Sequence, residues 1–200
     1  MEKKGEFSPE ELGKKYGIAL GELEKEQIKL AKTLELKDKI DFKLIEKIGA
    51  VDNSYFKNNI VSVALIFSPD QEISGQEYFS ERVRFPYIRG FRAYRELPAM
   101  VEAFNKLEEK PDVVFIRGNG IAHPRLGIAS HFSLSTGVPA IGIADSLMEE
   151  AKVEGEDVIL SGKKVGKVLL SKEKSNPLYV SPGNFIGTHS CSSSIFICTF

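Results

Sequence analysis

The hydrophobic period of this chain changes once, near Gly90, and that change restricts the fold more than any other feature of the sequence. Upstream, residues 45–52, 60–67 and 77–83 carry the β-branched and aromatic content of strands, and Asn58-Asn59 supplies a turn between the first two. Downstream, Phe91, Tyr94, Leu97, Val101, Phe104 and Leu107 recur at helical spacing until Pro111 closes the segment. Two short apolar runs follow, at 112–116 and 140–144, with a helix predicted over 126–136 between them. Strands of that composition are buried on both faces, which is the condition of parallel pairing in an α/β protein. The chain therefore reads as a mixed sheet in which three antiparallel strands are followed by parallel strands and flanking helices.

That order of elements is the order found in ribonuclease H-like folds. A length of 200 residues suits one such domain with a small appendage. Residues 1–47 form the appendage, a helical segment packed on the domain at 48–200. Its 11 lysines balance 11 acids, and Ile18, Leu20, Leu23, Ile28, Leu30, Ala31 and Leu34 make an amphipathic stripe interrupted around 17–21. Past Leu147, strands are expected at 158–160 and 163–170, turning at Ser161-Gly162, and 178–180 leads into Ser181-Pro182-Gly183. From Ser175 onward there is no Asp, Glu, Lys or Arg, and residues 191–200 mix Ser, Ile, Phe and Cys without a period. Either a buried strand or an atypical terminus fits that composition.

With 42% hydrophobic and 28% charged residues the composition is that of a soluble globular protein. A net charge of −1 excludes a uniformly basic nucleic-acid coat. The total conceals an asymmetry. All seven arginines (Arg82, Arg84, Arg89, Arg92, Arg95, Arg117 and Arg125) lie between positions 82 and 125, whereas the 20 lysines are spread along the chain. The planar guanidinium fork suits bidentate contacts to phosphate or carboxylate. Cys191 and Cys198 form no CxxC and suggest neither a disulfide scaffold nor a zinc site. With no apolar run of signal or membrane-spanning length, the expectation is a cytoplasmic monomer with no membrane partner.

Metal-dependent phosphodiester cleavage needs carboxylates converging on Mg²⁺, and the ends of adjacent strands deliver that geometry. Asp52, closing the apolar run Ile48-Gly49-Ala50-Val51, is an acid that packing explains poorly. Glu96, flanked by Arg95 and Pro98 near the start of the helix, equally suits an exposed helical position. No GxGxxG or P-loop pattern points to a nucleotide cofactor.

The stretch Phe85-Pro86-Tyr87-Ile88-Arg89-Gly90-Phe91, followed by Arg95-Glu96 and Lys110-Pro111-Asp112, leads to Gly118-Asn119-Gly120-Ile121-Ala122-His123-Pro124-Arg125. Then come Gly127-Ile128-Ala129-Ser130-His131 and Pro139-Ala140-Ile141-Gly142-Ile143-Ala144. In order and spacing these motifs resemble endonuclease V. The resemblance implies a ribonuclease H-like fold and a Mg²⁺-dependent endonuclease of DNA repair, with Mn²⁺ as a possible substitute. Its substrate would be DNA or RNA containing inosine, cut at the second phosphodiester bond 3′ of the hypoxanthine. It also implies roles. Asp52 and Glu96 would hold the metal, Pro86, Tyr87 and Ile88 would form a strand-separating wedge, and Gly118 and Gly120 would let backbone approach the flipped base. His123, like His131, would shape the lesion pocket, Arg95 and Arg125 would meet phosphates, and Arg89 would enter near the wedge.

The departures from the family pattern are specific. The family's metal-binding Asp before the glycine turn is Arg117 here, the Lys that ends its next strand is Asp145, and the His of its Ser-Pro-Gly-His is Asn184. Two accounts of the swap follow. Asp145 could bring a third catalytic carboxylate from the neighbouring strand, about 4.8 Å away, while Arg117 holds a phosphate. Alternatively an Arg117–Asp145 ion pair replaces the metal, leaving a nucleic-acid binder without catalysis.

Overall fold

The computed structural model describes residues 8–170, 172 and 175–193. Strands β1 (Ile48–Phe56), β2 (Asn59–Phe67) and β3 (Ile73–Arg82) form the antiparallel meander read from the sequence. Pairing of Phe56 with Asn59 moves the first turn one residue upstream, to Lys57-Asn58. Strands β4 (Val113–Arg117) and β5 (Ala140–Ala144) then join β1 in parallel. Downstream lie β6 (Ala151–Glu154), β7 (Asp157–Leu160), β8 (Lys163–Leu169) and β9 (Leu178–Asn184), all antiparallel. The sheet order is β3-β2-β1-β4-β5-β9-β8-β7-β6, and the fold is ribonuclease H-like.

Two elements depart from the sequence reading. Strand β6 was not expected, because Ala151–Glu154 is half-exposed and lacks an apolar signal. Strand β9 continues beyond the 178–180 run through Ser181-Pro182-Gly183 to Asn184; Pro182 is accommodated opposite Ile141, beside a bulge at Ala140/Ile141.

Helices α3 (Arg92–Asn105) and α4 (Ile128–Thr136) cover one face of the sheet, burying Val51, Ala64, Ile66, Val114 and Ile116 against Met100, Phe104 and Phe132. The opposite face buries Ile48, Val113, Ile141 and Val180 beneath Ile45, Ile186 and Cys191, the last on helix α5 (Thr188–Ser193). Residues 194–200, the rest of the aperiodic terminus, lie outside the described residues.

Helices α1 (Pro9–Tyr16) and α2 (Leu20–Ala31) break where the sequence predicts, at Gly17, whose φ of 67° ends α1 in the left-handed region. Among the described residues no helix is long and apolar enough to cross a membrane.

Candidate functional site

Pairing between β1 and β4 ends at Val51–Ile116, while β1 continues along β2 alone. Asp52 is thus the first β1 residue beyond the end of that pairing, next to Arg117, and Asp145 follows the last residue of β5. The three side chains form a row across adjacent strand ends. Arg117 donates from Nη1 to Asp52 Oδ2 at 3.5 Å and from Nη2 to Asp145 Oδ2 at 3.3 Å. The Asp145 hydrogen bond and the Asp52 charge raise the guanidinium pKa. Because side-chain exposure is 60% for Arg117, 52% for Asp52 and 68% for Asp145, water screens both pairs. Each contributes at most about 1 kcal/mol.

Glu96 behaves differently. It is buried on α3, and its oxygens are held by three donors: Arg92 Nε at 2.8 Å and Tyr55 Oη at 3.0 Å to Oε1, and Asn53 Nδ2 at 2.9 Å to Oε2. Burial works to lower the Arg92 pKa, but the hydrogen bond and charge of Glu96, with lesser help from Tyr55 and Asp52, raise it on balance. Burial, then the Glu96 charge, raises the Tyr55 phenol. No motif in the sequence marks Arg92, Asn53 or Tyr55 as partners of Glu96. Asn53 and Tyr55 alternate with Val51 on the β1 face that α3 covers, a period-2 signal hidden by the polarity of the segment.

As folded, this residue set does not fit a divalent cation. Arg117 and Arg92 place two guanidinium groups among the three carboxylates, and three donors already occupy Glu96. Among the described residues no three His, Cys, Asp or Glu side chains come together as a metal cluster.

Beside this cluster lies a cavity of about 800 Å³, within the range of small-molecule sites. One wall is the loop Tyr87 to Gly90; another is the segment 146–149 that follows Asp145, and Asn119 and His123 contribute from the glycine turn. Tyr87 is 65% exposed, whereas Ile88 is buried and anchors the loop. Arg89 bridges the two walls through an ion pair with Glu149. Arg92 lines the cavity and bonds Glu96, so it links cavity and cluster.

Gly118 and Gly120 are approached closely by protein rather than standing open. A Cβ on Gly120 would sit 2.1 Å from Pro182 O, and one on Gly118, at φ 145°, would sit 2.5 Å from Ile128 Cγ2. The glycines seat the turn against β9 and α4.

Arg125 lies in a half-buried strut beneath the loop that carries Tyr87. Its Nε donates to Gln27 Oε1 at 2.7 Å, Nη1 to Glu24 Oε1 at 3.1 Å and Nη2 to Gly90 O at 3.2 Å, and the guanidinium lies over the Phe91 ring. Arg95 donates to Tyr55 Oη and to Phe85 O while stacked on Tyr55. His123 Nδ1 accepts from Arg125 N at 3.1 Å, which leaves the ring proton on Nε2 in the neutral form. Burial, aided by the Arg125 charge, lowers its pKa to about 4. His131, its pKa also lowered by burial, packs against the ring of Tyr94.

Asn184 is remote from the cluster. It pairs with Ala140, at the end of β5 opposite Asp145, and its Oδ1 accepts from Glu35 N at 2.7 Å. The family's His position therefore corresponds here to a tether for the linker after α2.

The Endonuclease V family model matches residues 28–199. The endonuclease V of Thermosipho melanesiensis is 37% identical over 163 residues, spanning 76% of this chain and 72% of that protein. That of Nostoc punctiforme is 34% identical over 166 residues, spanning 78% and 75%. Among solved structures, endonuclease V from Bacillus subtilis gives a TM-score of 0.83 at 26% identity, covering 90% of this chain and 83% of that one. Endonuclease V from Ciona intestinalis, in complex with a 24mer DNA containing an inosine followed by a ribo-adenosine, gives 0.81 at 24% identity, covering 90% and 89%. That last likeness is one of fold.

Proposed function

The chain belongs to the endonuclease V family of nucleases, and from that membership we propose that it takes hypoxanthine-bearing DNA or RNA and cuts the second phosphodiester bond 3′ of the lesion. One observation carries the reading. The cavity behind Tyr87 reaches Glu96 through Arg92, and its wall at 146–149 follows directly on Asp145, so a base seated there brings its own backbone toward those acids. The inosine-containing DNA bound by the Ciona protein, on the same fold, supports the substrate class.

Tyr87, presented by Pro86 and the buried Ile88, stacks where the displaced base leaves a gap; an aromatic face accepts any neighbouring base. Neutral His123 lines the cavity with its Nε2–H available to a carbonyl acceptor on the base. Arg117 is the group that meets the backbone phosphate. Its exposed pairs to Asp52 and Asp145 are weak, so a phosphate competes for the guanidinium and leaves both carboxylates open beside the scissile bond. The family is metal-dependent, and Mg²⁺ or Mn²⁺ is the cofactor to test.

A second reading, recognition without cleavage, is favoured by the two guanidiniums among the carboxylates, which disfavour a cation there. One assay separates the two. An inosine-containing oligonucleotide is incubated with the protein and Mg²⁺ or Mn²⁺, with an adenosine control. Nicking at the second bond 3′ of inosine, abolished by Asp52→Ala, is the expected result. Selective binding without a nick establishes the second reading, and equal behaviour toward inosine and adenosine overturns both.

A further inference from the structure

The wedge loop is a ridge between two depressions, and the second has a chemistry of its own. Tyr87 to Gly90 line the cavity described above, while Phe85 and Pro86, one step earlier, line a groove of about 360 Å³ on the other side. Four cations line that groove: Lys57 from the β1–β2 turn, Arg82 and Arg84 from the end of β3 and beyond, and Arg95 from α3. Tyr16, from the end of α1, completes it.

Three of these cations face water. Lys57 and Arg82 are exposed, and Arg84 is 87% exposed on its side chain, with Glu81 at a long 3.9 Å. Arg95 is held in place by Tyr55 and Phe85 O, which fixes a positive charge at the groove wall. The turn itself shows a cost. Lys57 sits at φ 56°, the left-handed region where Gly or Asn is cheaper by about 1 kcal/mol, so turn geometry alone does not account for lysine there.

We propose that this groove is a second nucleic-acid site, which takes the phosphodiester backbone on the side of the lesion away from the base cavity. The inference rests on the reading of the cavity as a hypoxanthine site, and it adds a separate backbone contact across the wedge. In a chain of net charge −1, such a groove gives the local positive field that the composition lacks overall. The aromatic residues of the ridge then separate a base on one side from a phosphate track on the other.

The test is a salt titration of binding. Affinity for an inosine-containing oligonucleotide is measured by fluorescence anisotropy in chelator, for the full chain and for a Lys57→Gln, Arg82→Gln, Arg84→Gln variant. Each lost phosphate contact lowers the slope of log affinity against log salt by about 0.7 to 0.9, so the triple variant loses about 2 to 3. A second oligonucleotide, ending at the inosine on the groove side, should bind both proteins with the same slope. An unchanged slope on the long oligonucleotide, or an equal loss on the short one, overturns the groove. Absence of inosine preference in the unmodified protein instead overturns the cavity reading, so the two failures are distinguishable. If the triple variant has a lowered thermal midpoint, Arg84→Gln alone, at a side chain 87% exposed, should still lower the slope by about 0.7 to 0.9.

Discussion

Gln27 on α2 and Arg125 in the turn before α4 are joined by a 2.7 Å hydrogen bond beneath the wedge, and the same amide donates to Gly90 O at 3.0 Å. One buried side chain thereby ties the N-terminal helices to both loops that line the cavity behind Tyr87. Gln27→Ala strands the Arg125 Nε, at about 1 to 3 kcal/mol for an unpaired buried group, leaves Gly90 O with the Arg125 Nη2 donor alone, and opens a void where the buried side chain stood. The expected loss is about 2 to 4 kcal/mol in urea unfolding, together with weaker discrimination of inosine because the wedge loses its footing. A loss below 0.5 kcal/mol, a purely surface-like effect, would show that the strut is not holding α2 to the fold.

Arg117 stands between Asp52 and Asp145, and its replacement separates charge from structure. Since both pairs are exposed, Arg117→Ala, which removes both, should change stability by no more than about 2 kcal/mol. Its effect on binding should be larger, as a lost charge-assisted phosphate contact. Arg117→Asp places a third carboxylate in the strand-end row, and we expect Mg²⁺-dependent nicking of inosine-containing strands to rise. Nicking by Arg117→Asp no faster than by the unmodified chain would count against the strand-end row as the reaction centre.

The parts of this molecule that were legible in the sequence are those where local pattern decides. The β-meander, the apolar β5 at its full length and the break at Gly17 each follow from period or from a residue with special backbone freedom. The strut was not legible, although a signal exists. Leu20, Leu23, Gln27, Leu30 and Ala31 share one stripe of α2, and a polar residue on an apolar stripe points to a buried partner. That partner, Arg125, lies 98 residues away, a separation that single-sequence reading does not bridge. In the site, Asp52 was visible because it ends an apolar run. The ties on Glu96 were not, since they depend on β1 continuing past Asp52 to Asn53 and Tyr55.

His123 gives the fold a pH dependence whose sign follows from its burial. Its pKa is about 4 in the folded chain against the usual 6.5, so the unfolded chain binds the proton first as pH falls. Its contribution is therefore complete above 6.5, is lost between 6.5 and 4, and is constant below. After discounting for partial exposure the loss is about 2 kcal/mol. Urea unfolding at pH 7.5 and 4.5 measures it, and His123→Asn should flatten the difference by that amount. His131, lowered by burial with Glu26 opposing, adds a smaller change of the same sign. A His123→Asn profile parallel to that of the unmodified protein would show that the histidine titrates as if exposed.

Asn184 separates what the family pattern suggests from what this chain does with the position. The pattern carries a histidine near the metal there, yet here the residue pairs with Ala140, at the far end of β5 from Asp145, and holds Glu35 N. Asn184→Ala removes the acceptor from that backbone amide and leaves a small void beside fully buried neighbours, at a cost of about 1 to 3 kcal/mol. The rate of nicking under saturating substrate should be unchanged at temperatures where the variant is folded, because no atom of the strand-end row touches the residue. A drop in that rate of tenfold or more, with the fold intact by circular dichroism, would mean that the position reaches the reaction centre, and the linker after α2 would then have to move during the reaction.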